Sequence, residues 1–315
     1  MRALVLDDGQ LRLVQQFPDP VADDTTAVVQ LTRMGICDTD LQILRGYMGF
    51  MGVPGHEFVG VVSQGPDAWL GKRVVADINF ACQSCDWCAS GQQHHCPQRT
   101  VMGIVNANGA FAEAMAVPVT NLLEVPDSVS DDEAVFTEPL AAAFEILEQV
   151  NITEDERVLV LGDGKLGLLC AQAVATTGAE MTVWGHHQTK LDRVASRVHG
   201  VVSPDWEGRP FDVVIEATGT RDGLQSALAA VRPRGTVVLK STVADAHELS
   251  LAPIVIDEIR LVGSRCGPFS RALLSLEHGE VDVSCLIDAC YEFDQAIAAF
   301  EYAGQRGVLK VLLKV

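Results

Sequence analysis

Val158-Leu-Val-Leu161, followed at once by Gly162-Asp163-Gly164-Lys165-Leu166-Gly167, reads as a buried strand running into a glycine-rich turn and the start of a helix. Four consecutive apolar residues suit a strand covered on both faces. The three glycines have separate tasks. Gly162 permits the tight turn, Gly164 lets the backbone approach a pyrophosphate, and Gly167 allows helix and strand to pack closely. The N–H groups at the helix start, around Lys165 and Leu166, face the positive end of the helix dipole and suit phosphate oxygens. A glycine turn alone is a weak signal; the strand before it and the helix after it give it weight.

Outward from this turn, apolar strands alternate with helical patterns. A helix is expected over Ala134–Gln149 and another over Leu166–Thr177. Then come a strand at Met181–Trp184, a helix over Lys190–His199, a strand at Asp212–Ile215, a helix over Gly223–Val231 and a strand at Thr236–Leu239. That alternation describes an α/β unit, a doubly wound parallel sheet with helices on both faces. In such a unit an acidic residue at the end of the second strand holds the adenosine ribose of NAD. Gly185 stands there instead, followed by His186, His187 and Lys190. Without a carboxylate to repel a 2′-phosphate, and with basic side chains nearby, the reading favours NADP over NAD. The plainer alternative is an exposed, solvated loop.

Before residue 130 the chain is strand-like and turn-rich, with β-patterned runs at Ala27–Thr32, Phe58–Ser63 and Arg73–Ile78. Four of the nine cysteines, Cys82, Cys85, Cys88 and Cys96, crowd into this part. Four thiolates in one short lobe can close a tetrahedron around zinc and leave no open coordination position, a structural site. His94 and His95 read as surface residues of that lobe. A second, dispersed set comprises Cys37 in Gly35-Ile-Cys-Asp-Thr-Asp40, His56 and Glu57 in Pro54-Gly-His-Glu57, and Glu138 in Thr137-Glu-Pro-Leu140. A mixed Cys/His/carboxylate set is what an open, catalytic zinc site uses. Taken singly these residues are unremarkable core or helix-start positions. Cys170, Cys266, Cys285 and Cys290 read as small buried apolar residues.

The 315 residues suffice for two domains, and the net charge of −19 argues against nucleic-acid binding. No apolar run is long enough to span a bilayer, and the first residues turn acidic too early for a signal peptide. A cytoplasmic protein that engages neither membranes nor nucleic acid is the expectation.

Taken together, these motifs resemble the zinc-dependent medium-chain dehydrogenases, over essentially the whole chain. The resemblance rests on the Cys37 motif, Gly55-His-Glu57, the four-Cys lobe, Glu138-Pro139, the Gly162 loop and Glu216-Ala-Thr218-Gly219. It implies a GroES-like β-rich catalytic domain from residues 1–130 and 268–315, around a Rossmann domain from 131–267. It further implies two zinc ions per chain. The catalytic one falls to Cys37, His56 and a carboxylate from Glu57 or Glu138; the structural one falls to Cys82, Cys85, Cys88 and Cys96. Thr39 takes the place of the family's proton-passing hydroxyl, with Gln42 where a histidine relay often ends, and Thr218 falls at the cofactor. The implied activity is hydride transfer between an alcohol of polyol or sugar type and NADP or NAD. Pairing through strands near Thr236–Leu239 and Ile259–Gly263 would give a homodimer or homotetramer. Lys240 and Arg265 stand where smaller residues are usual, with either a phosphate-contacting or an interface role open.

Overall fold

The computed structural model describes residues 1–198, 200–203, 210–242 and 249–315. The chain divides into two compact units, Met1–Glu138 with Ile287–Val315, and Pro139–Leu286.

The first unit is built on a seven-stranded sheet. Its central strand, Thr26–Ile36, is rich in β-branched and apolar residues and largely buried. It pairs antiparallel with Glu57–Gln64, Ala114–Pro118 and Lys310–Lys314. Two of these pairings place the chemistry. Gly35 faces Glu57 on one side and Leu312 on the other, so Lys310 enters the sheet close to Glu57. The strand Ile287–Glu292 then adds to Lys310–Lys314 in parallel. A small sheet of Asn79–Phe80, Thr100–Met102 and Asn106–Ala107 carries the cysteine lobe between its first two strands.

The second unit has six parallel strands. Numbered along the unit they are Arg157–Leu161, Glu180–Trp184, Gly200–Ser203, Phe211–Glu216, Val231–Leu239 and Arg260–Gly263. Their spatial order is 3-2-1-4-5-6, the doubly wound arrangement with its switch point beside the strand that feeds the glycine turn. Leu159, Leu161, Val214, Ala227 and Val237 belong to one of its apolar clusters.

Several boundaries differ from expectation. The units meet at Glu138/Pro139 and Leu286/Ile287 rather than near 130 and 268. The segment after 268 stays with the second unit because Gln172 exchanges two hydrogen bonds with the backbone of Asp282, both 2.9 Å, and Arg193 donates to the Cys285 carbonyl. The helix expected over Ala134–Gln149 is two helices, Asp131–Ala134 and Thr137–Gln149. A capping box between Ser130 and Glu133 starts the first, and the Thr137 hydroxyl bonds the Ala134 carbonyl at the junction. The Lys190–His199 segment holds only the short helix Gln188–Leu191 and a 3₁₀ turn Asp192–Val194; His199 lies outside the described residues. Helices Ala252–Ile256 and Phe269–Glu277 were not anticipated. Among the described residues no helix is long and apolar enough to cross a membrane.

Candidate functional site

The cysteine lobe is local in every sense. Cys85 caps the short helix Asp86–Ala89, Cys88 lies within it, and a 3₁₀ turn at Gln93–His95 delivers Cys96. The sulfurs are 3.5 Å apart for Cys85–Cys88, 3.8 Å for Cys85–Cys96 and 3.9 Å for Cys82–Cys88. All four lie within 4.8 Å of one another, and none forms a disulfide. With Zn–S bonds of about 2.3 Å, the edge of a sulfur tetrahedron is ~3.8 Å, so the spacing fits zinc. Without a cation the four thiols cannot all ionise. Burial and then the neighbouring sulfurs push Cys88 up to about 12, while hydrogen bonds from Ser84 bring Cys82 down to about 6. His94 is engaged elsewhere, 2.6 Å from the Asp77 carboxylate, and His95 packs against Trp87.

The second cluster is assembled from distant strands. Cys37 ends the central strand as the N-cap of the helix Asp38–Ile43, and its N–H donates to Asp40 Oδ2 at 2.8 Å. The fully buried Asp40 turns its other oxygen toward His56, 3.2 Å from Nδ1, at an angle too oblique for a good hydrogen bond. His56 and Glu57 are consecutive and buried, and their ligand atoms lie within 4.8 Å of one another and of Cys37. Burial alone would lower the His56 pKa, but the Asp40 carboxylate and the Cys37 side chain outweigh it and hold it well above its ordinary value. Glu57 Oε2 accepts a hydrogen bond from Lys310, whose ammonium is wholly buried and sits 5.2 Å over the Phe136 ring. Glu57 Oε1 and His56 Nδ1 lack a well-aligned partner. A half-buried thiol beside a buried imidazole and a buried carboxylate with one oxygen unpartnered fits a divalent cation.

Glu138 is not within ligand reach of these three groups. It is nonetheless close enough to feel them. Burial raises its carboxyl to about 7, His56 and Lys310 acting against the rise and Glu57 and Asp77 with it. Thr39 follows Cys37 by two residues, half-buried in the same helix, and Gln42 on that helix is exposed.

In the second unit the glycine turn has the expected form. Gly162 has a φ of +117°, and a Cβ there would meet the Ala217 carbonyl at 2.5 Å. A Cβ on Gly167 would strike the Gly162 carbonyl, whereas Gly164 faces open space. Lys165 and Leu166 open the helix Lys165–Ala175. Thr218 donates to the buried Glu216 carboxylate at 2.6 Å, which also accepts from the Thr218 N–H and the Ser241 hydroxyl. At the second strand's end the sequence reading missed a feature. The Asp163 side chain lies over Gly185 and accepts hydrogen bonds from the N–H groups of His186 and His187. His186 and His187 are exposed, and Lys190 is half-buried.

Asp40, Lys310 and Asp163 are thus the functional candidates that sequence reasoning passed over. Asp40 alone left a signal, an acid three residues past a helix-capping position. Two further expectations change. Lys240 is buried and donates to the Ala142 and Arg265 carbonyls and to Ser264, so it ties the unit together rather than waiting for a phosphate. Of the four remaining cysteines only Cys170 is buried; Cys266 and Cys285 are half-buried and Cys290 is exposed.

These features define a zinc-dependent oxidoreductase with a nicotinamide dinucleotide cofactor. Residues 23–127 match the alcohol dehydrogenase GroES-like domain and residues 166–276 the zinc-binding dehydrogenase domain. L-threonine 3-dehydrogenase of Xanthomonas axonopodis pv. citri is 32% identical over 264 residues, 76% of each chain. D-arabinitol dehydrogenase 1 of Uromyces fabae is 27% identical over 94% of this chain and 91% of its own. Among solved structures, the RspB alcohol dehydrogenase of Escherichia coli CFT073 complexed with NADH superposes with a TM-score of 0.91 at 25% identity, covering 100% and 99% of the two chains. A zinc-binding dehydrogenase of Sinorhizobium meliloti 1021 bound to NADP does so with a TM-score of 0.89 at 26% identity and the same coverage. The chain belongs to the zinc-dependent medium-chain dehydrogenase/reductase family.

Proposed function

We propose that the protein oxidises a secondary alcohol of polyol or sugar-acid type at a zinc ion held by Cys37, His56 and Glu57. The observation that carries this is the convergence of those three ligand atoms within 4.8 Å, with a buried Glu57 oxygen left without a hydrogen-bond partner. The substrate class is supported by relatives named D-arabinitol dehydrogenase, L-galactonate-5-dehydrogenase and L-threonine 3-dehydrogenase. Zinc in such a set supplies Lewis acidity to the alcohol oxygen, and the nicotinamide ring accepts the hydride.

The chain's own residues prepare that chemistry. A Cys37 thiolate and the Glu57 carboxylate supply two negative charges to match a dication. Asp40 braces His56 from the Nδ1 side and leaves Nε2 for the metal, the usual task of a carboxylate behind a ligating histidine. Lys310 holds Glu57 through one oxygen and leaves the other free. Glu138, whose carboxyl burial raises to about 7, is the alternative carboxylate when Glu57 is withdrawn toward Lys310. Thr39 takes the substrate proton and passes it to water, because Gln42 cannot titrate. Cys82, Cys85, Cys88 and Cys96 hold the second zinc, which staples a lobe with little core of its own.

Gly162, Gly164, Lys165, Leu166 and Gly167 receive the pyrophosphate, with Thr218 and the Gly185–Lys190 segment beside the nucleoside. The Asp163 side chain, which lies over Gly185, bears on the choice between NADP and NAD. Subunit pairing along the edge strand Arg260–Gly263 is supported by Leu251, Val255, Ile256 and Leu261, all exposed beside it.

The test is a panel of polyols, aldonic acids, hydroxy-amino acids and simple alcohols, with zinc counted by mass spectrometry. Polyhydroxylated substrates turning over with two zinc ions per chain is the expected result. Inactivity across the panel by a chain that binds two zinc ions and dinucleotide would overturn the substrate assignment.

A further inference from the structure

The second parallel strand, Glu180–Trp184, ends on Gly185, where an acid is needed to recognise ribose. A side chain there has no room. A Cβ on Gly185 would collide with the Asp163 Cβ and stand 2.6 Å from both its Cγ and its Oδ2. Asp163 belongs to the glycine turn, yet its carboxylate fills the volume that a strand-end side chain would enter. It is fixed there by one oxygen. Oδ2 accepts from the His186 N–H at 2.7 Å and the His187 N–H at 2.6 Å, and lies 2.9 Å from His187 Nδ1. Oδ1 accepts no hydrogen bond from any described residue. Burial would raise the Asp163 pKa, but the His187 and His186 contacts and the Lys190 charge bring it below the ordinary value, so the group is an anion.

We infer that Asp163 replaces the absent strand-end acid: Oδ1 receives an adenosine ribose hydroxyl, and the carboxylate selects NAD over NADP. This rests on the reading of the second unit as the nicotinamide dinucleotide site. Two physical effects give the direction. A 2′-phosphate would be brought against a fixed anion, and like charges in contact are strongly unfavourable. The backbone N–H groups that suit a phosphate at a strand end are already bonded to Asp163. The basic groups nearby do not reverse this, because His187 Nδ1 is engaged 2.9 Å from Asp163 Oδ2 and the Lys190 charge acts on the same carboxylate. The fold itself is indifferent, since one structural neighbour carries NADH and another NADP. The choice therefore falls to side chains.

The experiment is direct binding of NADH and NADPH to the zinc-loaded protein by calorimetry. The wild type is expected to bind NADH roughly 10- to 100-fold more tightly, the range of a single hydrogen bond to a charged group. In Asp163→Ala and the isosteric Asp163→Asn the ratio collapses toward unity, mainly because NADPH tightens. Gly185→Asp alone weakens both nucleotides through the clash with Asp163. Moving the acid, in Asp163→Gly/Gly185→Asp, restores the NADH preference. Thermal melting identifies any variant that fails to fold. Wild-type protein binding NADPH as tightly as NADH, or a ratio unchanged in the folded Asp163→Asn protein, would overturn the inference while leaving the dinucleotide site standing. Failure to bind either nucleotide would remove the site and the inference together.

Discussion

The cysteine lobe and the Cys37–His56–Glu57 cluster assemble four and three donors by opposite means. In the lobe the ligands lie 14 positions apart at most, and local turns bring them together, with the Cys82 N–H reaching Cys96 Sγ at 3.5 Å. In the cluster two adjacent strands and a helix start meet, and the countercharge arrives from Lys310, 253 residues beyond Glu57. A local site can form whenever its lobe is folded. A dispersed site exists only when the whole sheet is in register, and a one-residue slip would turn Glu57 to the opposite face. The lobe therefore suits a structural role, and the cluster can be tuned by its surroundings.

The sharpest way to break this contrast is to remove a ligand from each. Cys37→Ala or His56→Ala should lower kcat by more than the roughly 10- to 100-fold that supporting residues cost. NADH binding should stay within about twofold. A mutant retaining more than a tenth of wild-type turnover would show that the cluster is not the reacting centre. Cys85→Ser should instead lower zinc from two to one per chain and reduce Tm by several degrees, with turnover per remaining zinc little changed. An unaltered melting curve would deny the lobe its stapling role.

Lys310→Met probes the reach of the dispersed site. Leaving Glu57 buried and unpaired should cost about 3–5 kcal/mol in chelator-treated protein. The penalty should shrink when zinc is restored, because the metal takes over the carboxylate. Denaturant titration of both forms reads the difference, and equal penalties would separate Lys310 from the metal. A gentler perturbation, Asp40→Asn, should weaken zinc binding about 10- to 100-fold by loosening His56. Competition with a chelator measures it, and unchanged affinity would make Asp40 a helix cap only.

The smallest effect concerns acid. Asp163, Asp212 and Glu113 all titrate below their ordinary range: burial opposes this, but hydrogen bonds from His187, Arg157 and Arg2 respectively prevail. A carboxylate depressed in the folded state contributes stability that is full above its unfolded pKa, near 4, and is lost as pH falls through the folded value. These three groups should therefore lower the melting temperature by a few degrees only as pH falls below about 4. A decline beginning at pH 6 would point to histidines instead.

The comparison also explains what could be read from the sequence. Cys82 to Cys96 and Gly162 to Gly167 are short motifs whose chemistry follows from spacing, and their geometry matches the expectation. The parallel sheet follows from the alternation of strands and helices. Lys310 was invisible because an apolar final strand gives no hint of which neighbour its one buried charge will meet. Asp163 was passed over for a related reason. Gly185 looked empty, and an empty position in sequence says nothing about a side chain that arrives from another turn. The helix break at Val135–Phe136 was lost because Ser130 and Glu133 cap a helix that only tertiary packing stops.

The strand Lys310–Lys314 has a consequence for synthesis. It completes a sheet whose central strand ends at Ile36, so the first unit stays unfinished while the 148 residues from Pro139 to Leu286 are made. At ribosomal rates of about 5–20 residues per second that wait is roughly 7–30 s. During it Gly35, Ile36 and their neighbours present an unpaired strand edge, and the Glu57 carboxylate has no ammonium to meet. The second unit, contiguous in sequence, is free to fold first. The order of assembly is thus written into the thread: the inserted unit matures while its host holds an open seam, and the last strand closes the seam and supplies Glu57 with its counterion in one movement.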